Sequence, residues 1–99
     1  MARRLQQKQF TREQLELQRI IESLGLETIL EKKFGYYRVD IYLPEVNKGV
    51  EFDGIGHTKK ADNKKDKFLK DGYGCDIIRV TDIKDPELKE KLLVFCNED

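Results

Sequence analysis

The sequence predicts a mixed α/β domain in which helices flank a mixed β-sheet, with elements in the order α-β-β-β-α-β-α. Two observations carry this prediction. Apolar and polar residues alternate over 37–43 and again over 48–53, which is the period of a half-buried strand. Apolar residues recur at helical spacing near both ends of the chain. An antiparallel meander followed by a helix and a further strand gives a mixed sheet covered by helices.

The first helix is predicted over 12–24. Thr11 is a typical N-cap residue, and Gln14 completes a capping box three positions later. Leu17 belongs to the apolar stripe, and Gly25 is a typical residue for the position just after a helix.

The remaining elements follow from the same two periods and from turn residues. A weaker strand is predicted over 27–33, before the strong strands 37–43 and 48–53. A second helix over 61–72 precedes a fourth strand over 75–81. Asp85 is the predicted N-cap of the last helix, with Pro86 at its first position.

The two strong strands predict a hairpin that brings carboxylates together. If residues 44–47 form the loop, the predicted pairs are Leu43 with Lys48, Ile41 with Val50, and Val39 with Phe52. Asp40 then lies opposite Glu51, on the same face as Asp53. Two carboxylates about 5 Å apart repel by roughly 3 kcal/mol at an effective dielectric constant near 20. A bound divalent cation would favour this arrangement; the alternative is a solvated face whose acids extend into water.

Length and composition predict one small intracellular domain. The chain has 99 residues, a formal net charge of zero, two cysteines and one histidine. We expect residues 1–99 to form a single domain; the alternative, one domain of a longer protein, stays open. The sequence contains neither a membrane-spanning apolar run nor a secretion signal. Cys75 and Cys96 do not form a metal-type pair, so we expect reduced thiols in the cytoplasm.

Charge is distributed unevenly along the chain. Residues 1–10 form a basic N-terminal arm, residues 59–70 are rich in lysine, and the stretch from Asp82 is acidic. A basic surface can attract a polyanion even when the net charge is zero. The alternative is that these charged runs are simply solvated faces.

The stretches VDIYLPE, VEFDGIGH, Asp62–Lys65 and IIRVTD together carry a family resemblance. In this order they resemble the very-short-patch-repair-like branch of the PD-(D/E)XK nuclease superfamily, and more narrowly the catalytic domains of phage homing endonucleases of the EDxHD type. The resemblance covers about residues 11–83. It is carried by an ordered set of six residues: Glu13, Asp40, Glu51, Asp53, His57 and Asp62.

The resemblance implies a restriction-endonuclease-like core and a Mg²⁺-dependent DNA endonuclease, with those six residues as its catalytic set. Asp40 and Glu51 would hold Mg²⁺, which Mn²⁺ can replace, through hard oxygen ligands. Glu13 looks like the additional acid of the family, leaning toward the buried side of the first helix; its alternative role is a favourable helix-dipole partner.

One position departs from the family pattern. The usual motif has Lys two residues after the second acid, where this chain has Asp53. His57 is then the natural proton acceptor, because imidazole exchanges a proton near neutral pH. Asp53 or Asp62 would orient it or stabilise its charge. One histidine and two distant cysteines give no zinc ligand set.

The expected partner is double-stranded DNA. Four lysines of the basic stretch are predicted to contact phosphates: Lys59, Lys60, Lys64 and Lys65. Tyr36 and Tyr37 are expected in the core or at a sheet edge rather than stacked on bases. Homing enzymes of this type imply a homodimer, and a phage-encoded enzyme would act in the bacterial host cell.

Three alternatives remain at this stage. A mismatch-nicking repair enzyme of the same branch would carry a structural zinc site, for which this chain has no ligands. A non-catalytic nucleic-acid-binding domain would not require acids at every motif position. A protein-interaction domain would explain neither the opposed acids nor the lysine run.

Overall fold

The computed structural model describes residues 10–53 and 59–98, with side chains in the second helix described from Asp62 onward. Three helices flank one four-stranded mixed sheet, which confirms the predicted class and element order. The helices are α1 (Arg12–Ser23), α2 (Lys59–Tyr73) and α3 (Leu88–Asn97). The strands are β1 (Ile29–Phe34), β2 (Tyr37–Leu43), β3 (Lys48–Phe52) and β4 (Asp76–Val80).

The strands lie side by side in chain order. β1, β2 and β3 pair antiparallel, and β3 pairs parallel with β4, since α2 carries the chain back to the other end of the sheet. None of the described helices combines the length and apolar character needed to cross a lipid bilayer.

Two hydrophobic clusters hold the layers together, one on each face of the sheet. The larger cluster joins α1 and α3 to the sheet; its buried members are Leu17, Ile21, Ile41, Leu43, Val50, Val80, Leu88, Leu92 and Cys96. The smaller cluster lies under α2 and comprises Phe34, Val39, Leu69 and Cys75. Burial, with the charge of Asp76, raises the pKa of the Cys75 thiol to about 11, so this thiol stays protonated near neutral pH.

The start of α1 follows the predicted capping pattern. The Thr11 side chain accepts a hydrogen bond from the Gln14 amide at 3.1 Å, and Gly25 has the positive φ of a residue after a helix. The predicted start of α3 is wrong. Asp85 instead caps a turn before the helix, because its carboxylate accepts from the Glu87 amide at 2.9 Å. The helix itself begins only at Leu88.

The predicted hairpin register is confirmed near the turn and fails farther along. Leu43 pairs with Lys48 and Ile41 pairs with Val50, but the pairing does not continue to Val39 and Phe52 in the described strands. Val39 packs under α2, whereas Ile41 and Leu43 pack under α1 and α3. The apolar face of β2 therefore changes sides between residues 39 and 41.

The change of sides occurs at Asp40 and at its neighbour in β1. The β1–β2 register passes from Leu30–Ile41 directly to Lys32–Val39, and Glu31 between them has a left-handed φ of 57°. A left-handed residue interrupts a regular strand. This interruption of β1 lies beside Asp40, at the position where the apolar face of β2 changes sides.

Close packing of the side chains on either side of β3 depends on Gly49. A Cβ atom there would lie 2.6 Å from both Ile77 Cδ1 and Val39 Cγ1. That spacing is far below van der Waals contact, so a larger residue would force the Ile77 and Val39 side chains to move.

Candidate carboxylate site

Beyond the Ile41–Val50 pair, side chains replace the backbone ladder between β2 and β3. The Phe52 amide donates to Asp40 Oδ2 at 3.1 Å. The Asp40 amide lies 3.4 Å from Glu51 Oε2, a long contact. The two strands therefore separate where the acids lie, and each carboxylate is held by the backbone of the opposite strand. The sequence-predicted meeting of Asp40 and Glu51 is confirmed, although it occurs through these contacts instead of a regular pair.

Asp40 is in an environment that disfavours its charge. Burial and the neighbouring negative charge of Glu51 raise the pKa of the Asp40 carboxyl, with a smaller contribution from Glu31. The hydrogen bond from Phe52 and the positive charge of Lys65 oppose this shift but do not reverse it. The ionised form of Asp40 would therefore be stabilised by an added cation.

Glu51 is almost fully buried, at 4% exposure, and two cations accompany it. Lys65 Nζ, which α2 supplies, lies 2.5 Å from Glu51 Oε2. Arg79 Nη2, from β4, lies 3.5 Å from Glu51 Oε1. A buried carboxylate without such partners would cost several kcal/mol, so these cations make the position of Glu51 possible.

Arg79 joins β3 to the first half of α2. Its guanidinium donates to both oxygens of Asp66 at 2.7 and 2.9 Å and lies 3.3 Å from Asp62. Burial alone would lower the pKa of Arg79, but the Asp66 hydrogen bond and the charges of Asp66, Asp62 and Glu51 raise it. A planar guanidinium can meet several carboxylates at once, which an ammonium cannot do as well.

On the α1 side, Gln14 and Glu31 complete the surroundings of Asp40. Gln14 Nε2 donates to Glu31 Oε2 at 2.9 Å and lies 3.0 Å from the Asp40 carbonyl oxygen. Glu31 also lies 3.4 Å from the Arg38 guanidinium. Gln14 is buried, whereas Glu13 is exposed. The predicted lean of Glu13 toward the buried side is therefore wrong, because the helix turns its neighbour inward.

The other sequence-predicted residues divide into four groups. Asp62 lies in the site through its ion pair with Arg79. Asp53 follows β3 directly, and its amide donates to the Val80 carbonyl at 2.8 Å. Lys64 is exposed, as a phosphate contact requires. Three predicted residues lie outside the described residues or side chains: His57, Lys59 and Lys60.

Lys65 is less exposed than the other lysines of α2 whose side chains are described, Lys64, Lys67 and Lys70. Its ammonium donates to the Arg38 carbonyl and to Glu51, each at 2.5 Å, and its side chain is 17% exposed. A weak signal for this existed in the sequence. Asp62, Lys65 and Asp66 recur at spacings of three and four, so they share one face of a helix.

The residue types fit a magnesium ion held by two carboxylates. Mg²⁺ commonly takes one or two protein carboxylates and completes its shell with waters and phosphate oxygens. Asp40 and Glu51 offer hard oxygens from neighbouring strands, and burial together with the charge of Glu51 raises the pKa of the Asp40 carboxyl. Within residues 10–53 and 59–98, no group of three or more aspartate, glutamate, histidine or cysteine side chains is arranged to hold a metal ion.

Comparison with protein-family models, with curated proteins and with solved structures finds no significant match to this chain. The class supported directly is therefore structural: a mixed α/β domain with a buried, cation-paired carboxylate site where two strands separate.

Proposed function

We propose that this chain is a Mg²⁺-dependent DNA endonuclease domain that hydrolyses phosphodiester bonds, of the homing-endonuclease type. The observation that carries the proposal is the junction of Asp40 and Glu51 at the point where β2 and β3 separate. A stable fold gains nothing from placing two acids together in a half-buried position. A site that binds a cation beside a phosphate does benefit, because two adjacent carboxylates bind the cation more tightly than one.

Asp40 and Glu51 would hold the metal ion. When bound, Mg²⁺ supplies positive charge that stabilises the phosphate in the transition state and lowers the pKa of water. The protein keeps the two carboxylates in place through the Phe52 amide on Asp40 and the two cations on Glu51. These supports are already formed before a ligand arrives, so little reorganisation is required.

Lys65 is one of the two protein cations beside Glu51, and Arg79 is the other. Its ammonium has three donors, and the described structure directs them at Glu51 and the Arg38 carbonyl. A phosphate oxygen beside Asp40 and Glu51 would be an additional acceptor for the same group. Lys65 thus supplies positive charge beside Glu51. In the family pattern a lysine two residues after this acid has that place, where this chain has Asp53.

Proton transfer is assigned to His57 on the chemistry of its side chain. Imidazole can accept a proton from water near neutral pH, whereas the ammonium of Lys65 is paired with a carboxylate. Asp62, near the start of α2, lies 3.3 Å from the Arg79 guanidinium.

Plasmid nicking tests this proposal. Purified protein should convert supercoiled plasmid to nicked or linear product with Mg²⁺ or Mn²⁺, and EDTA should abolish the conversion. Asp40→Asn should lose this activity, whereas Lys89→Gln, on the exposed surface of α3, should keep it. DNA binding without metal-dependent nicking would favour the non-catalytic nucleic-acid-binding alternative.

A further inference from the structure

The turn between β1 and β2 places an aromatic ring entirely in solvent. Phe34 and Tyr37 form the last pair of the hairpin, and Gly35 and Tyr36 form its two-residue loop. Gly35 has a φ of 62°, as the first loop residue of a type II′ hairpin turn requires. Tyr36 is 99% exposed, although a core or sheet-edge position was expected for it. The expectation is wrong because Tyr37 takes the packed position, 5.1 Å from the Phe68 ring.

Two like charges face each other directly behind this turn. Lys33 and Arg38 are partners in the β1–β2 register, and both are exposed. Like charges in directly opposed positions destabilise a hairpin. Glu31 offsets part of this cost through its contact with Arg38 at 3.4 Å. A polyanion lying across the pair would turn the repulsion into two favourable contacts.

The second helix adds an apolar support and a further cation near the hairpin. The Phe68 ring lies close to Gly35, where an added Cβ would be 3.1 Å from it. Lys64 precedes Phe68 by one helical turn, so both lie on the same face of α2, and Lys64 is exposed. An exposed cation of α2 therefore lies one helical turn from the ring that supports the hairpin turn.

This hairpin tip, defined as residues 33–38, is joined directly to the carboxylate site. The Lys65 ammonium bridges the Arg38 carbonyl and Glu51, at 2.5 Å from each. Tyr36 lies four residues from Asp40, or about 13 Å along the hairpin. Because a DNA duplex rises about 3.4 Å per base pair, a phosphate at the site would leave the tip roughly four base pairs away.

We propose that the hairpin tip is a duplex-DNA-binding surface, in which Lys33 and Arg38 contact phosphates and the Tyr36 ring lies in the adjacent groove. The choice of DNA over another polyanion rests on the proposed nuclease function. The surface itself rests on the exposed ring, the opposed cations and their connection to Glu51. It extends the expected lysine contacts of α2 to a second element of the fold.

Binding to a labelled mixed-sequence duplex, measured in EDTA so that cleavage does not interfere, tests this surface. Tyr36→Ala should weaken binding about tenfold, because an aromatic contact with nucleic acid is lost. Tyr36→Phe keeps the ring and should bind like the parent. Since Tyr36 is almost fully exposed, its substitutions should leave the thermal midpoint unchanged.

The salt dependence of the same binding measures the two cations. Lys33→Gln combined with Arg38→Gln should reduce the slope of log affinity against log salt by about 1.8, or about 0.9 for each phosphate contact. Tyr36→Ala should leave that slope unchanged, because it removes no charge. Lys89→Gln is the matched control; it removes an exposed cation from α3 and should change neither affinity nor slope.

A fluorescent reporter gives an independent reading. The chain contains no tryptophan, so Tyr36→Trp would place a single indole at the tip. Its emission should change when duplex is added and should recover at high salt. An unchanged emission spectrum at saturating duplex would argue against contact at this position.

The outcomes separate this inference from the proposed function. If the parent nicks plasmid while the tip variants bind duplex with parental affinity and slope, the tip proposal fails and the nuclease function stands. If the tip variants lose duplex binding but the parent never nicks, the binding surface stands and the nuclease function fails. Weakened binding of single strands alone would also overturn the duplex proposal.

Discussion

Asp40→Asn should make the protein more stable while removing its proposed activity. The structure places Asp40 where burial and the charge of Glu51 raise the pKa of its carboxyl. A folded-state pKa above the unfolded value means that the folded protein binds the proton more tightly. Ionised Asp40 therefore costs stability above that folded pKa, and the cost disappears below the unfolded pKa. Asparagine carries no charge, and its side-chain oxygen can still accept from the Phe52 amide.

The size of the stability gain follows from a repulsion and an attraction that act on the charge of Asp40. Two carboxylates about 5 Å apart repel by roughly 3 kcal/mol at an effective dielectric constant near 20. Lys65 attracts Asp40 and offsets part of this repulsion. We expect a net gain of about 1 kcal/mol near neutral pH, equivalent to about 4–8 °C in Tm for a domain of this size.

Thermal and denaturant melts of parent and variant at pH 7 and at pH 3 measure this gain. It should be present at pH 7 and shrink at pH 3, where the parental Asp40 is protonated. Asp85→Asn is a control for which the expected change in stability has the opposite sign. Asp85 has a lowered pKa through its hydrogen bond with Lys91, so its loss should destabilise the protein near neutral pH and leave nicking unchanged.

Two results would refute the reasoning about Asp40. A variant that is less stable than the parent at pH 7 would show that the charge of Asp40 stabilises the fold. An Asp40→Asn protein that nicks plasmid at the parental rate in Mg²⁺ would remove Asp40 from the metal site.

Four further predictions concern the rest of the site and the assembly. Lys65→Met should tighten Mg²⁺ binding in calorimetry, because it frees a Glu51 oxygen, yet slow nicking by about 10²–10³; unchanged nicking would assign Lys65 a purely structural role. Arg79→Lys should lower the free energy of unfolding by about 1–3 kcal/mol, because one ammonium cannot contact Asp66, Asp62 and Glu51 at once; denaturant melts that overlay the parent would contradict this. His57→Ala should leave Mg²⁺ binding intact, slow single-turnover cleavage by about 10²–10⁴ and remove the rise in rate with pH; a mutant that keeps this rise would place the proton elsewhere. Concerted double-strand breaks by a protein that light scattering shows to be a strict monomer would exclude the homodimer.

Local sequence patterns predicted the elements and most of their order. Alternation over 37–43 and 48–53 indicated two strands, and their register near the turn was fixed because a one-residue slip would turn Ile41 and Val50 outward. Thr11 and Gly25 marked the ends of α1 for equally local reasons. The α3 start was missed because Asp85 can cap a short turn as well as a helix.

The tertiary structure alone decided what surrounds the predicted acids. Alternation assumes a regular strand, so it could not foresee that Val39 packs on the opposite face of the sheet from Ile41. Glu13 and Gln14 are adjacent on α1, so the spacing of apolar residues did not decide which of the two faces the sheet. The way α1 packs on the sheet buries Gln14 and exposes Glu13.

The sequence by itself determined that Asp40 and Glu51 meet, because each of them directly adjoins a member of the Ile41–Val50 pair in one local hairpin. It did not determine that Lys65 and Arg79 neutralise Glu51. These cations come from α2 and β4, which reach the acid only through the parallel β3–β4 pairing and the packing of α2 across it. Contacts between residues far apart in the chain depend on the whole fold, and so does the electrostatic character of this site.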